Sequence, residues 1–75
     1  MSNLKLAPNA YVVLKKERKK AGMTQVALAK KMGLKTSQQI WNLENEKNRL
    51  TLEIAIKAAN ALGLSLDVFL CQKVK

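Results

Sequence analysis

Apolar residues recur at helical spacing in four stretches of the chain, and short turns separate each stretch from the next. The first stretch predicts a helix over residues 10–21, preceded by Pro8 and capped by Asn9. A glycine followed by an apolar residue is typical of a left-handed position just past a helix end. Three glycines fit this pattern and mark the ends of predicted helices: Gly22, Gly33 and Gly63.

Threonines mark the starts of the other three predicted helices. Thr24 is a suitable N-cap for a second helix, and Thr51 for a fourth that runs to Leu62. The sequence of residues 36–39 has the T-x-x-Q form of a capping box, which predicts the start of a third helix. The positions predicted to face the core are Ala10, Val13, Leu14, Ala21, Leu28, Ala29, Met32, Ile40, Leu43, Leu52, Ala55, Ile56, Ala59 and Leu62.

The C-terminal segment, residues 64–75, is compatible with two structures. Ser65 is a suitable cap for a short helix, whereas the alternation of apolar residues after it fits the period of two of a strand. We favour the helix, and with it a compact all-α domain of four or five short helices. In this interpretation residues 1–9 form an N-terminal arm and residues 10–75 a single domain.

Composition excludes most catalytic and metal-binding chemistry. The 75 residues suffice for one domain, and they include no histidine and a single cysteine, Cys71. Zinc fingers, histidine-based acid–base catalysis and an internal disulfide framework are therefore excluded. The five acidic residues form no obvious carboxylate pair for hydrolysis or for a hard cation. We expect no enzymatic activity, cofactor, metal site or small-molecule ligand.

The chain is strongly basic, with 14 Lys and Arg residues against five acidic ones and a net charge of +9. The net charge is +5 in residues 1–22, +3 in residues 23–50 and +1 in residues 51–75. No apolar run approaches the roughly 20 residues of a membrane span, and the first residues lack a signal peptide's apolar stretch. These features predict a cytoplasmic, nucleoid-associated protein that binds a polyanion such as DNA.

The centre of the chain, residues 25–43, predicts two helices joined by a tight turn. Ala29 is small enough for the helices to approach closely, and Gly33 allows the chain to turn. The outward side of the third helix is expected to present uncharged polar groups and one aromatic ring: Ser37, Gln38, Trp41, Asn42 and Asn45. Amide side chains can pair with adenine in the major groove of DNA, because they donate and accept in one plane.

Three motifs resemble the Xre/Cro-type helix-turn-helix family of phage and bacterial repressors. The first is Thr24-Gln25-x-x-Leu28-Ala29-x-x-Met32-Gly33. The second is Gln38-Gln39-Ile40-Trp41-Asn42-Leu43-Glu44-Asn45, and the third is Ala58-x-x-x-Leu62-Gly63-Leu64-Ser65-Leu66-Asp67. The resemblance covers residues 10–70 and implies a lambda-repressor-like fold, with the helix-turn-helix formed by the second and third helices.

The resemblance also implies a role for individual residues. Matching positions assign base reading to Ser37, Gln38 and Asn42, and phosphate contacts to Gln25 and Asn45. Arg18 and Glu44 match a pair that forms an internal salt bridge in related repressors. Lys35, Lys47 and Arg49 flank the third helix, and we expect them to contact phosphates as well.

Three positions depart from the family pattern or are compatible with two roles. The step from Gly33 to Ile40 is one residue longer than usual, so Gln39 is a further candidate for base reading. Trp41 is expected either to stack on a sugar or thymine methyl, or to fold back over the second helix. Glu46 stands where the family often has glycine, and we expect Asn45 to take the left-handed conformation instead.

These observations favour a sequence-specific double-stranded DNA-binding protein, a repressor that acts as a homodimer on an inverted-repeat operator. A second hypothesis is the antitoxin of a toxin–antitoxin pair, in which residues 64–74 pair as a strand with a toxin protein. The sequence is also compatible with a restriction–modification controller, and with an adaptor that uses the same fold to bind proteins.

Overall fold

The computed structural model describes residues 5–71. Four helices follow one another: α1 (Ala10–Lys20), α2 (Gln25–Met32), α3 (Ser37–Glu44) and α4 (Leu52–Leu62). A 3₁₀ helix, Leu66–Phe69, comes after α4. The predicted all-α architecture is confirmed, with the helix-turn-helix formed by α2 and α3.

The helix starts follow the predicted capping chemistry with one exception. The hydroxyl of Thr24 accepts a hydrogen bond from the Ala27 N–H at 3.0 Å, and that of Thr51 accepts one from the Ile54 N–H at 3.2 Å. Asn9 occupies the predicted N-cap position of α1, but its side chain makes no cap bond. Its backbone is not extended (φ −103°, ψ 27°), and a side chain caps the first turn from an extended conformation.

The chain reversal after α3 occurs one residue later than expected. Glu46 has a φ of 59°, whereas Asn45 has a φ of −108°, so the predicted left-handed Asn45 is wrong. Asn45 is instead the C-cap of α3, and both its backbone N–H and its side-chain Nδ2 donate to the Trp41 carbonyl, at 3.0 and 2.9 Å. The Lys47 N–H then closes the turn on the Asn42 carbonyl at 2.8 Å.

One apolar core lies between the helices, with contributions from all four and from the 3₁₀ helix. Its fully buried members include Leu14, Leu28, Ile40 and Phe69. Three predicted core positions lie outside the core: Ile56 is 43% exposed, Ala21 is exposed at the end of α1, and Leu52 is half-buried without packing against the core.

On α4 the buried positions are the alanines at 55, 58 and 59. Ala58 was absent from the predicted core. Ile56 lies about 100° around the helix from Ala55, and this rotation places its side chain outside the buried stripe.

The described part of the C-terminal segment forms a short 3₁₀ helix and no strand. The Ser65 hydroxyl accepts from the Asp67 N–H at 3.2 Å at the start of the 3₁₀ helix. Leu70 then forms an antiparallel bridge with Leu6. The Cys71 N–H donates to the Lys5 carbonyl at 2.8 Å. Residues 5–7 of the expected N-terminal arm are therefore paired with the end of the domain. Residues 1–4 and 72–75 lie outside the described part of the chain.

Candidate nucleic-acid interface

The third helix rests on the core through one face. Ile40 and Leu43 are buried on α3, and Leu28, Ala29 and Met32 are buried on α2, which packs against it. Both helices are only eight residues long, so α3 spans about 12 Å. A short helix supported by buried aliphatic side chains can present its other face without bending.

The outward face of α3 carries the side chains that were predicted to read bases. Gln38, Gln39 and Trp41 are exposed, and Ser37 and Asn42 are half-buried. Trp41 is 40% exposed, so part of the indole is accessible at this surface.

Two amides on this face are paired with each other. Gln38 Nε2 donates to Asn42 Oδ1 at 3.1 Å, across one helical turn. The bond lies on the surface and links the two amides directly. Both side chains keep further donors and acceptors, because a primary amide has two N–H groups and an oxygen with two lone pairs.

Gln39 and Asn45 are turned toward their own backbone. The Gln39 Oε1 atom accepts from the N–H of Lys35 at 3.0 Å and of Thr36 at 3.4 Å, as part of the capping box. Asn45 Nδ2 donates to the Trp41 carbonyl at the other end of the helix. Each side chain therefore has a structural role at one end of α3. A contact with DNA would use the side-chain N–H groups of Gln39 and Asn45 that take no part in these bonds.

A buried carboxylate joins α3 to the rest of the domain. Arg18 Nε donates to Glu44 Oε2 at 2.6 Å, and Arg18 Nη2 donates to Glu44 Oε1 at 3.2 Å. Only 8% of Arg18 and 5% of Glu44 are exposed. Arg18 Nη1 also donates to the Met23 carbonyl at 2.9 Å, in the turn before α2. The two residues that the family resemblance pairs are thus in contact, in a bidentate arrangement.

Gln25 belongs to the same cluster, which the sequence did not suggest. Its Nε2 atom donates to Glu44 Oε1 at 3.0 Å, although the two residues are 19 positions apart. Gln25 is the first residue of α2 and Glu44 is the last of α3. No local pattern signals such a contact, because it depends on how the two helices pack.

Exposed cations lie near both ends of α3. Lys35 precedes the helix, and Lys47 and Arg49 follow it in the loop to α4. The acidic side chain of Glu46 is exposed among the cations of this loop. Neither α2 nor α3 has an acidic residue in its own first turn, and the Glu44 carboxylate that contacts Gln25 at the start of α2 is paired with Arg18.

Metal-ligand clusters and membrane-spanning helices are absent from residues 5–71. No group of three or more potential metal-ligating side chains occurs there, among cysteine and acidic residues. None of the helices in this range has the length and apolar character needed to cross a membrane.

Comparison with known proteins agrees with this geometry. The family model described as helix-turn-helix matches residues 14–69. The solved structure of the clp gene regulator ClgR from C. glutamicum is similar, with a TM-score of 0.74 and 24% identity over 80% of this chain and 78% of that one. No curated protein sequence matches the chain. The match over most of the chain shows that it belongs to the Xre/Cro-type helix-turn-helix family of DNA-binding transcription regulators.

Proposed function

We propose that this protein is a transcriptional repressor that binds a specific double-stranded DNA sequence as a symmetric dimer. The observation that carries the proposal is the uncharged outward face of α3 above a packed core, on which Gln38, Gln39 and Trp41 are exposed and Ser37 and Asn42 are half-buried. A helix of this kind fits the major groove, where each base pair presents a distinct pattern of donors and acceptors. The proposed place of action is the nucleoid, in the cytoplasm.

The paired amides of Gln38 and Asn42 are the central base-reading groups in this proposal. Their mutual hydrogen bond holds both side chains in one orientation before DNA binds, which lowers the entropic cost of recognition. Ser37 lies in the first turn of α3 beside them, and the exposed Trp41 indole is placed to contact a thymine methyl or a sugar. Gln39 contributes through its amide N–H groups, because its oxygen is used in the capping box.

Phosphate contacts are assigned to groups around the edge of this face. Gln25 lies at the N-terminus of α2, where the helix dipole favours an anion. Lys35, Lys47 and Arg49 are exposed, and Asn45 keeps one side-chain N–H beyond its bond to Trp41. Each neutralised phosphate lowers the logarithm of the binding constant by about 0.9 for each tenfold increase in salt.

A symmetric dimer follows from the small size of the reading surface. One eight-residue helix contacts few base pairs, whereas two copies related by a twofold axis double the contacts. The half-sites of such a dimer lie about one helical turn of DNA apart, in an inverted repeat.

The antitoxin hypothesis loses support from the C-terminal contacts. It needs a strand in residues 64–74 that is available to a second protein. Residues 66–69 are instead a 3₁₀ helix, and Leu70 is bridged to Leu6 of the same chain. In the described part of the segment, the pairing is therefore internal.

Selection from a random pool of DNA duplexes tests the proposed function. We expect a favoured sequence with inverted symmetry, bound at physiological salt in preference to a scrambled duplex of the same composition. Sedimentation of the complex should give two protein chains per duplex. Equal binding to all duplexes would contradict base reading, and one chain per selected duplex would contradict the dimer.

A further inference from the structure

We propose that Gln25 is a positioning residue, which sets the orientation of α3 through its hydrogen bond to Glu44 and thereby affects base discrimination. This inference rests on the proposed function. It gives Gln25 a role distinct from the phosphate contact assigned to it above, and the role is already present in the protein without DNA.

The geometry of the Glu44 carboxylate supports this role. Its Oε1 atom accepts two bonds, from Gln25 Nε2 at 3.0 Å and from Arg18 Nη2 at 3.2 Å. Its Oε2 atom accepts from Arg18 Nε at 2.6 Å. The first residue of α2, the last residue of α3 and a buried residue of α1 thus meet at one carboxylate.

A single planar amide at Gln25 can link α3 to the DNA backbone. A primary amide has two N–H groups, and one of those of Gln25 is bonded to Glu44. A phosphate contact would use the second N–H of the same nitrogen. Since both bonds lie in the amide plane, the position of the phosphate and the C-terminal end of α3 become fixed relative to each other.

Loss of the Gln25 bond should loosen α3 without unfolding the domain. The bidentate pairing of Arg18 with Glu44 remains when Gln25 is replaced, so the buried carboxylate keeps a charged partner. The start of α3 is held separately by the capping box, and the Leu34 N–H bonded to the Ala29 carbonyl at 2.8 Å closes the end of α2 before it. Only the end of the helix loses a connection to α2.

Amide hydrogen exchange in the absence of DNA tests this role directly. Gln25→Met keeps the length of the side chain and removes its donors, and Gln25→Lys restores a nitrogen donor for Glu44. In the methionine variant we expect the backbone amides of residues 43–45 to exchange about tenfold faster, the effect of losing a hydrogen bond to a charged group. The lysine variant should exchange at the wild-type rate. Gln38→Met is the matched control and should leave this exchange unchanged, because Gln38 bonds within α3.

Binding measurements then connect the position of α3 to base discrimination. For Gln25→Met we expect the ratio of affinities for the selected and scrambled duplexes to fall about tenfold. Unchanged exchange with an equal loss of affinity for both duplexes would overturn the inference and leave Gln25 as a phosphate contact. Faster exchange with an unchanged ratio would also overturn it, because the bond would then be structural only. If the wild type selected no duplex, the proposed function would fail instead.

Discussion

The two ends of α3 are held in different ways. At the start, the Gln39 oxygen accepts from the N–H groups of Lys35 and Thr36, which are its near neighbours in sequence. At the end, Glu44 joins Gln25 and Arg18, which are 19 and 26 positions away. The local bonds cap the start of the helix, and the long-range bonds hold its end in addition to the buried Ile40 and Leu43. A base-reading helix needs both, because its side chains must reach the groove at a fixed register.

The largest expected effect comes from breaking the long-range bonds that hold the end of α3. Arg18→Met leaves the Glu44 carboxylate buried without its charged partner, which costs about 3–5 kcal/mol of unfolding free energy. Chemical denaturation followed by circular dichroism measures this loss. Lys20→Met is the control, because Lys20 pairs with Glu17 at 4.0 Å with its side chain 69% exposed. Its effect should stay within about 0.5 kcal/mol. Equal losses in the two variants would show that the buried pair does not stabilise the domain.

A second prediction separates the face of α3 from the loop that follows its end. Gln38→Ala should weaken the base preference at one or two positions of the selected duplex, with a loss of about 1–3 kcal/mol of binding free energy. Arg49→Ala should weaken binding to all duplexes alike and reduce the slope of log affinity against log salt by about one. Titrations against single-base variants of the duplex at several salt concentrations distinguish the two. A change of base preference in Arg49→Ala would mean that α3 is placed wrongly in the groove.

Breaking the local bonds at the start of α3 is expected to give a smaller loss of stability. Gln39→Ala removes the acceptor of the Lys35 and Thr36 N–H groups and should cost about 1 kcal/mol. Thermal unfolding without DNA measures this cost. Gln38→Ala serves as the control and should change stability by less than about 0.5 kcal/mol, because Gln38 is exposed. If Gln38→Ala were the more destabilising of the two, the capping box would not be what holds this end.

The same contrast explains how much could be predicted from the sequence. The caps at Thr24 and Thr51 were predicted correctly, because a capping side chain bonds a backbone group two or three residues away. The all-α fold followed from the helical period of the apolar residues. The exposed polar face of α3 followed from the same period.

Features that depend on packing could not be predicted in this way. The bond from Gln25 to Glu44 requires α2 and α3 to be placed in space, and the motif gives no sign of it. Ala58 lies in the core where Ile56 was predicted, because of the rotation of α4 against its neighbours. The roles in DNA binding remain predictions, since exposure shows which side chains can reach a groove and not which bases they contact.

The smallest expected effect concerns the turn that follows α3. Glu46→Gly should stabilise the domain by about 0.5–1 kcal/mol, because a left-handed φ costs a non-glycine residue roughly 1–2 kcal/mol, partly offset by the greater freedom of glycine when unfolded. Asn45→Gly is the matched control and should destabilise it, because Asn45 has a negative φ and its side chain bonds the Trp41 carbonyl. Thermal unfolding of both variants measures the opposite signs. If both destabilised the domain, steric strain at Glu46 would be too small to matter, and the Asn42 carbonyl bonds to Lys47 and Asn48 would alone determine the turn.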